Sequence, residues 1–331
     1  MNKRKPIRVF EAFAGYGGAS YGLKRSGIKY KVIGFSEIEP SADRILHHNF
    51  PDIHNYGNIL NIREDLERDK NAIPEFDLFT SGFPCQPFSS AGLMLGEGDK
   101  LGRGTLIHEI ISICQIKKPK YILLENVRGF LADRFKPTRE ALKVGLKDYD
   151  VRMVVLNSKD YGIPQNRERL WIFAYNGELP FEFSMLPPTP DIERPRLKDF
   201  LDKNPLPDVY LTDKQVEHLQ EVHGKKGVES FVVNEPLCLD IYNHKIKTDG
   251  LCNTITEPSH NITRIIEPIG KDGKLRVRKL SIEEQFRLMG FKDGEIQFPH
   301  DLNYREISAR AGNGWDVNLV GILLKHIFSQ L

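Results

Sequence analysis

Cysteine is scarce in this chain, and no two cysteines lie close together. Cys85, Cys114, Cys238 and Cys252 are spread wide, with no CxxC spacing among them. That argues against a zinc site or a disulfide framework and points to a reducing compartment. Long apolar runs are missing too, and none reaches the ~18 residues that a membrane span requires. The basic segment Met1–Pro6 has no signal-peptide core behind it, so a cytoplasmic location with no membrane contact is expected. Neither sign of charge dominates. The 47 Lys and Arg against 45 Asp and Glu leave +2, which permits a nucleic-acid partner without demanding one. Internal repeats and low-complexity tracts are absent. With 331 residues, 40% of them hydrophobic, the chain can bury a full core in one large domain and a smaller one.

What is present is an alternation of short apolar runs and amphipathic stretches. It predicts strands at 7–13, 31–35, 76–80, 121–124, 151–156 and 170–174. Helices are expected between them at 19–26, 41–50, 105–117 and 138–147. This order reads as an α/β fold, a doubly wound and mostly parallel sheet. Ligands of such sheets sit at the C-terminal ends of the strands. Four prolines in "LPPTPDIERP", residues 186–195, mark a boundary. Beyond it the pattern turns irregular to about residue 277, with one helical stretch at 212–222. Helical periodicity returns at 281–289 and 318–328. The expected division is therefore 1–185, a smaller irregular domain at 186–277, and a return to the first domain at 278–331. Within the irregular region, residues 191–240 carry 7 basic against 11 acidic side chains, and residues 241–280 carry 8 against 4. The second stretch is the better face for a polyanion.

Two stretches carry chemistry. "FEAFAGYGGASYGL", residues 10–23, follows the first strand and places Gly15, Gly17 and Gly18 in a turn before a helix. Backbone can approach a ligand there, and a helix N-terminus favours an anionic group. Ser20 stands where a dinucleotide fingerprint wants Gly or Ala, and no Gly-Lys-Ser/Thr follows as a P-loop requires. Glu37 closes the second strand, where an acid can hold ribose hydroxyls. A nucleoside cofactor fits, and a tight turn without a ligand is the alternative.

The second stretch is "FTSGFPCQPFSSAG", residues 79–92, where two prolines hold Cys85 on an irregular loop. A lone cysteine is more often buried and inert. Here "LLENVRGF" brings Glu125 and Asn126 to the same edge, and "YGIPQNRERLWIF" brings Gln165, Arg167 and Arg169. Singly, these are surface acids and salt-bridge partners. Together they offer a nucleophile, an acid and anion stabilisers.

Taken in order, "FAGYGG", "SEIEPSA", "GFPCQPFSSAG", "GRGTLIHEI", "ENVRGF", "DYGIPQNRERLWI", "RKLSIEEQFRLMGF" and "AGNGWDVN" resemble the DNA (cytosine-5)-methyltransferases over nearly the whole chain. The resemblance implies a Rossmann-like, S-adenosyl-L-methionine-dependent fold whose irregular region recognises the target in double-stranded DNA. Phe13, Ala14, Gly15, Gly17 and Gly18 would line the methionyl group, Glu37 would take the ribose, and Ile38 would pack on adenine. Asn58 and Ile59 would complete the adenine end, and Asn313 would close the pocket. Cys85 would attack the base, Glu125 would hold its N3 edge, and Arg167 and Arg169 would orient base and loop. Gln86, Ser89, Arg103, Gln165, Thr254 and Ile255 would contact DNA. Lys245 and Lys247 are expected on phosphates, and Asn253 and His260 on base edges. A monomer is expected, and a chain this compact leaves room for a cognate restriction endonuclease acting separately, which the sequence itself does not show.

Two departures stand out. Asn58 replaces an aspartate, leaving only an amide oxygen to accept from adenine. "GNGWDV" replaces the usual "GNAVP" or "GNSV" ending. The RNA-modifying branch of this scaffold typically carries Pro-Pro-Cys-Gln and a Cys-Phe-Thr tripeptide. This chain reads Phe83-Pro84-Cys85-Gln86 and lacks the tripeptide. A catalytically dead DNA-binding relative should have lost Cys85, Glu125 or Arg167, and all three are present.

Overall fold

A computed structural model describes residues 5–84, 106–191, 193–228, 230–258 and 263–331. Cys85, Gln86, Ser89, Arg103 and His260 lie outside the described residues. The first five strands are β1 (Ile7–Ala12), β2 (Tyr30–Ser36), β3 (Leu78–Gly82), β4 (Tyr121–Val127) and β5 (Asp150–Asn157). They are followed by the short β6 (Gln165–Asn166) and by β7 (Glu168–Tyr175). All but β6 form one six-stranded sheet in the order β2-β1-β3-β4-β7-β5. The pairs β1–β2, β1–β3 and β3–β4 are parallel, and β7 runs antiparallel to both β4 and β5. The connections explain the reversal. Helices α1 (Gly18–Ser26), α2 (Pro40–Asn49), α3 (Ile59–Arg68), α4 (Leu106–Lys117) and α5 (Lys136–Gly145) carry the chain back between the parallel strands. Only a short stretch with a single 3-10 turn, Ser158–Asp160, and β6 joins β5 to β7, too short for a parallel crossover.

Period-two alternation buries both faces of the sheet. Phe10, Phe79, Ile122 and Leu124 point to the side covered by α3 and α4. Val9, Leu78, Leu123 and Phe173 point to the side covered by α1 and the last helix, α9 (Val317–Ser329). A Cβ on Gly22 of α1 would lie 2.3 Å from Val320, so these helices touch nearly backbone to backbone. Helix α3 is absent from the sequence reading, although Ile59, Ile62 and Leu66 are buried at helical spacing and the Asn58 side chain caps its first turn.

The irregular region contains α6 (Asp213–Gly224) and β8 (Leu237–Asp240), β9 (Lys245–Lys247), β10 (Cys252–Asn253), β11 (Thr263–Glu267) and β12 (Arg276–Arg278). Four of these strands form an antiparallel sheet, β12-β11-β8-β9. Its outer core is small: Val216, Phe231, Leu239, Ile266 and Val277. The opposite side is not independent. Cys238, Cys252, Ile255 and Ile265 share a core with Tyr16 of the glycine turn, with α7 (Ile282–Leu288) and with α8 (Tyr304–Asn313). The buried Arg278 fastens this joint, donating to both oxygens of Glu284 on α7 at 2.7 and 2.8 Å and to Glu267 at 2.6 Å. No helix among the described residues is long and apolar enough to cross a membrane.

Candidate active site

The turn after β1 is strained where the resemblance places a ligand. Phe13 has φ of 52°, and Gly15 and Gly17 have φ of 59° and 89°. A phenylalanine in the left-handed region costs of order 1–3 kcal/mol and persists only where the surroundings impose it. The glycines divide by role. A Cβ on Gly15 would meet nothing within 4 Å, so this residue opens onto free space. A Cβ on Gly17 would strike Phe50 at 2.7 Å, and one on Gly18 would press on Trp315 at 3.0 Å. Gly17 and Gly18 are therefore glycine for packing, and Ala14 beside them is buried.

Glu37, just beyond β2, reaches back to this turn. Its Oε2 accepts from Gly15 N at 2.8 Å, and its Oε1 accepts from Ile38 N and Glu39 N at 2.9 and 2.8 Å. Burial pushes the carboxyl up and these amides oppose it. Ile38 is 68% exposed, an apolar side chain left bare beside the acid. The anion-friendly N-terminus of α1 is already occupied from within. Glu11 accepts from Ala19 N and Ser20 N at 2.8 and 3.1 Å and from the Ser20 hydroxyl at 2.7 Å. The expectation of an anionic group at that helix end is corrected accordingly.

Both residues expected at the adenine end have partners within the fold. The Asn58 oxygen, expected to accept from a ligand, accepts from Leu60 N at 3.1 Å as the cap of α3. Ile59 is 2% exposed and points into the core. Asn313 is exposed at the end of α8. Its neighbours hold it out: a Cβ on Gly312 would fall 2.4 Å from the Thr256 backbone, and one on Gly314 would fall 2.0 Å from the Tyr16 ring.

On the reacting edge, Glu125 is buried near the end of β4. Arg169 Nε lies 2.9 Å from Oε1, and the Trp315 indole N–H donates to Oε2 at 3.2 Å. Burial pushes this carboxyl up, and Arg169, Arg167 and Trp315 pull it back. Next to it the Asn126 amide donates to the carbonyl of Phe83 at 3.3 Å, fixing the backbone two residues before Cys85.

Arg167 lies near this carboxyl but spends its hydrogen bonds elsewhere. It is 3% exposed, and its guanidinium donates to the carbonyls of Ile255 at 3.1 Å, Gly312 at 3.1 Å and Gly314 at 2.6 Å. Burial, with Arg169 nearby, lowers its pKa to about 10. Gln165, expected at DNA, is fully buried. It donates to Leu288 O at 2.7 Å and accepts from Ile255 N at 2.9 Å. Thr254 donates to Asn166 O at 2.6 Å, and β10 pairs with β6 in parallel. Gln165, Arg167, Thr254 and Ile255 thus form a seam that joins the irregular region to the catalytic sheet. Asn253, expected on a base edge, is 7% exposed within the same seam. Lys245 is exposed on β9.

The sequence reading missed Glu11, Tyr16 and Trp315. Tyr16 donates its hydroxyl to the Trp315 carbonyl, and Trp315 packs edge-on against Trp171 with ring centres 5.0 Å apart at 76°. The departure "GNGWDV" was the one signal pointing to Trp315.

A family model described as C-5 cytosine-specific DNA methylase matches residues 7–329. The chain is 26% identical to the orphan methyltransferase M.SPBetaI of Bacillus phage SPbeta, over 98% of this chain and 97% of that protein. It is 36% identical to the type II methyltransferase M.NlaIV of Neisseria lactamica, over 62% of this chain and 52% of that protein. Among solved structures, the S. pombe Dnmt2 methyltransferase superposes with a TM-score of 0.72 at 20% identity, covering 98% of this chain and 99% of that one. Entamoeba histolytica EhMeth gives 0.70 at 20% identity, covering 98% and 99%. At that identity the structural likeness is one of fold.

Proposed function

The chain belongs to the C-5 cytosine-specific DNA methylase family, and from that premise we propose how its residues divide the work of methylating cytosine C5 in DNA. The observation that carries the reading is the Glu125 carboxyl, gripped by Arg169 and Trp315 beside the backbone that leads into Cys85.

Cytosine C5 is a poor nucleophile until a thiolate adds to C6. Cys85 supplies that thiolate, and its ordinary pKa near ~8.5 calls for local activation by positive charge. Addition drives charge towards N3 and O2 of the ring. Glu125, protonated, offsets it at N3, and Arg169 offsets it at O2. Release of the C5 proton and expulsion of the thiol restore the aromatic ring. None of these atoms is reachable inside a duplex, so the base is flipped out. S-adenosylmethionine, when bound, supplies an electrophilic methyl group on a sulfonium. The residues fit it: the open face of Gly15, the Glu37 carboxylate at the strand end and the bare side chain of Ile38 lie together. Glu37 holds the ribose and Ile38 covers the adenine. The occupied N-terminus of α1 agrees with a cofactor that carries no phosphate.

Residues 186–277 recognise the target, with Lys245 on phosphate. The enzyme acts as a monomer in the cytoplasm on double-stranded DNA. We infer a restriction endonuclease that acts separately; its support is the likeness to M.NlaIV, which is named a type II methyltransferase.

The test uses labelled methyl groups from S-adenosylmethionine, offered with DNA or RNA. DNA should be labelled and RNA should not. Target DNA carrying 5-fluorocytosine should trap the protein covalently at Cys85. Trapping at Cys114, Cys238 or Cys252 would overturn the assignment, and labelling of RNA alone would overturn the substrate.

A further inference from the structure

We propose that Trp315 is a positioning residue for the acid: its indole N–H pins Oε2 of Glu125 and so leaves Oε1 as the oxygen that meets the base. This rests on the reading of Glu125 given above.

The two carboxyl oxygens have different surroundings. Oε2 accepts from the indole at 3.2 Å in a buried contact. Gly82 walls that side: a Cβ there would lie 2.6 Å from the indole nitrogen and 3.4 Å from Oε2. Only glycine leaves room for the bond. Oε1 faces Arg169 at 2.9 Å. Among the described residues, the charged groups acting on the carboxyl are Arg169 and Arg167, and Tyr16 and Asp316 lie beyond them.

The indole itself cannot drift. Trp171 stands edge-on against its ring. Tyr16 holds its carbonyl, and Arg167 holds the carbonyl of Gly314 before it. Asp316 after it caps α9 by accepting from Asn318 N and Leu319 N at 2.9 and 3.1 Å.

The chemistry follows from what an indole can do. Its N–H donates and never accepts. The oxygen it binds therefore stays an acceptor whether the carboxyl is charged or neutral, and a proton must sit on the other oxygen. That is Oε1. Arg169 also only donates, so Oε1 carries a proton to N3 only once Arg169 has turned its donation to O2 of the entering base. As the Cys85 thiolate bonds to C6, the ring electrons shift to N3, which takes that proton. The proton returns to Oε1 when the C6–S bond breaks.

Trp315→Phe keeps an aromatic edge against Trp171 and removes the donor. A tryptophan analogue with sulfur in place of the indole nitrogen, introduced at position 315, removes the donor at nearly constant shape. The measurements are single-turnover methyl transfer to target DNA across pH, and calorimetric binding of S-adenosylmethionine. In both variants one limb of the pH–rate profile should move to higher pH by about one unit, the worth of a hydrogen bond to a charged group. The rate at the optimum should fall about tenfold, and cofactor affinity should stay within about twofold of wild type. Unmoved limbs in both variants would overturn the inference. Glu125→Gln, measured in parallel, separates the two readings. Wild-type transfer by that variant would remove Glu125 from the chemistry. An inactive Glu125→Gln beside unshifted Trp315 variants would remove only the role of Trp315.

Discussion

Arg167 and Arg169 stand two residues apart in "QNRER", yet they serve opposite ends of the molecule's economy. Arg167 turns inward to the seam. It is 3% exposed and divides its guanidinium among three backbone carbonyls from two distant segments. Arg169 turns to the catalytic edge and meets one carboxyl. The seam uses charge to hold chain to chain, because a guanidinium can satisfy several carbonyls that no water reaches. The edge uses charge on a group whose own protonation has to change during the reaction.

The sharpest way to break this contrast is Arg167→Met. Carbonyls lose their donors in a dry place, so stability should fall by about 4 kcal/mol. Urea unfolding measures it. A loss under about 1 kcal/mol would mean that the seam does not depend on this side chain. Arg169→Lys should do the reverse. Methyl transfer should fall about 10–100-fold because lysine lacks the planar fork, while the unfolding midpoint stays close to wild type. A variant that melts early at full specific activity would erase the distinction.

A third buried acid or base, Glu11, caps α1 without a cationic partner among its hydrogen bonds to the described residues. Burial raises its pKa from 4.5 to about 7. Between those values the folded protein keeps a proton that the unfolded chain has released. Stability therefore declines as pH rises through that window, by up to about 1.4 kcal/mol per pH unit from this group, and levels off above pH 7. Glu11→Gln should flatten that part of the curve. Identical slopes for the two proteins in pH-dependent urea unfolding would refute the assignment.

The legible and illegible parts of this molecule differ physically. Strands β1 to β5 and β7 stood out because period-two apolar runs separated by amphipathic stretches have few other interpretations. The reversal of β7 was less visible, since a strand has the same pattern in either direction and only the missing helix before it tells. Helix α8 escaped notice although Asn303 and Glu306 form a capping box at its start. Its buried face is mostly small residues, Ser308, Ala309, Ala311 and Gly312, which carry little hydrophobic signal. Glu125 was readable because strand order alone brings it to the edge where the Cys85 loop begins. Gln165 and Arg167 were not, because a polar side chain spent on buried carbonyls looks in sequence just like one that faces a ligand.

The hydrogen bond from Tyr16 to Trp315 joins residues 299 positions apart. A growing chain meets that requirement only once residue 315 has been made. Strands and helices of the first domain can form while the ribosome is still reading the message. The carboxyl of Glu125 then has Arg169 beside it but no indole, and Gly18 has no Trp315 packed against it. Long-range closures of this kind come late and slowly. Until residue 315 has been made and docked, the first domain has its sheet but not the indole that holds Glu125.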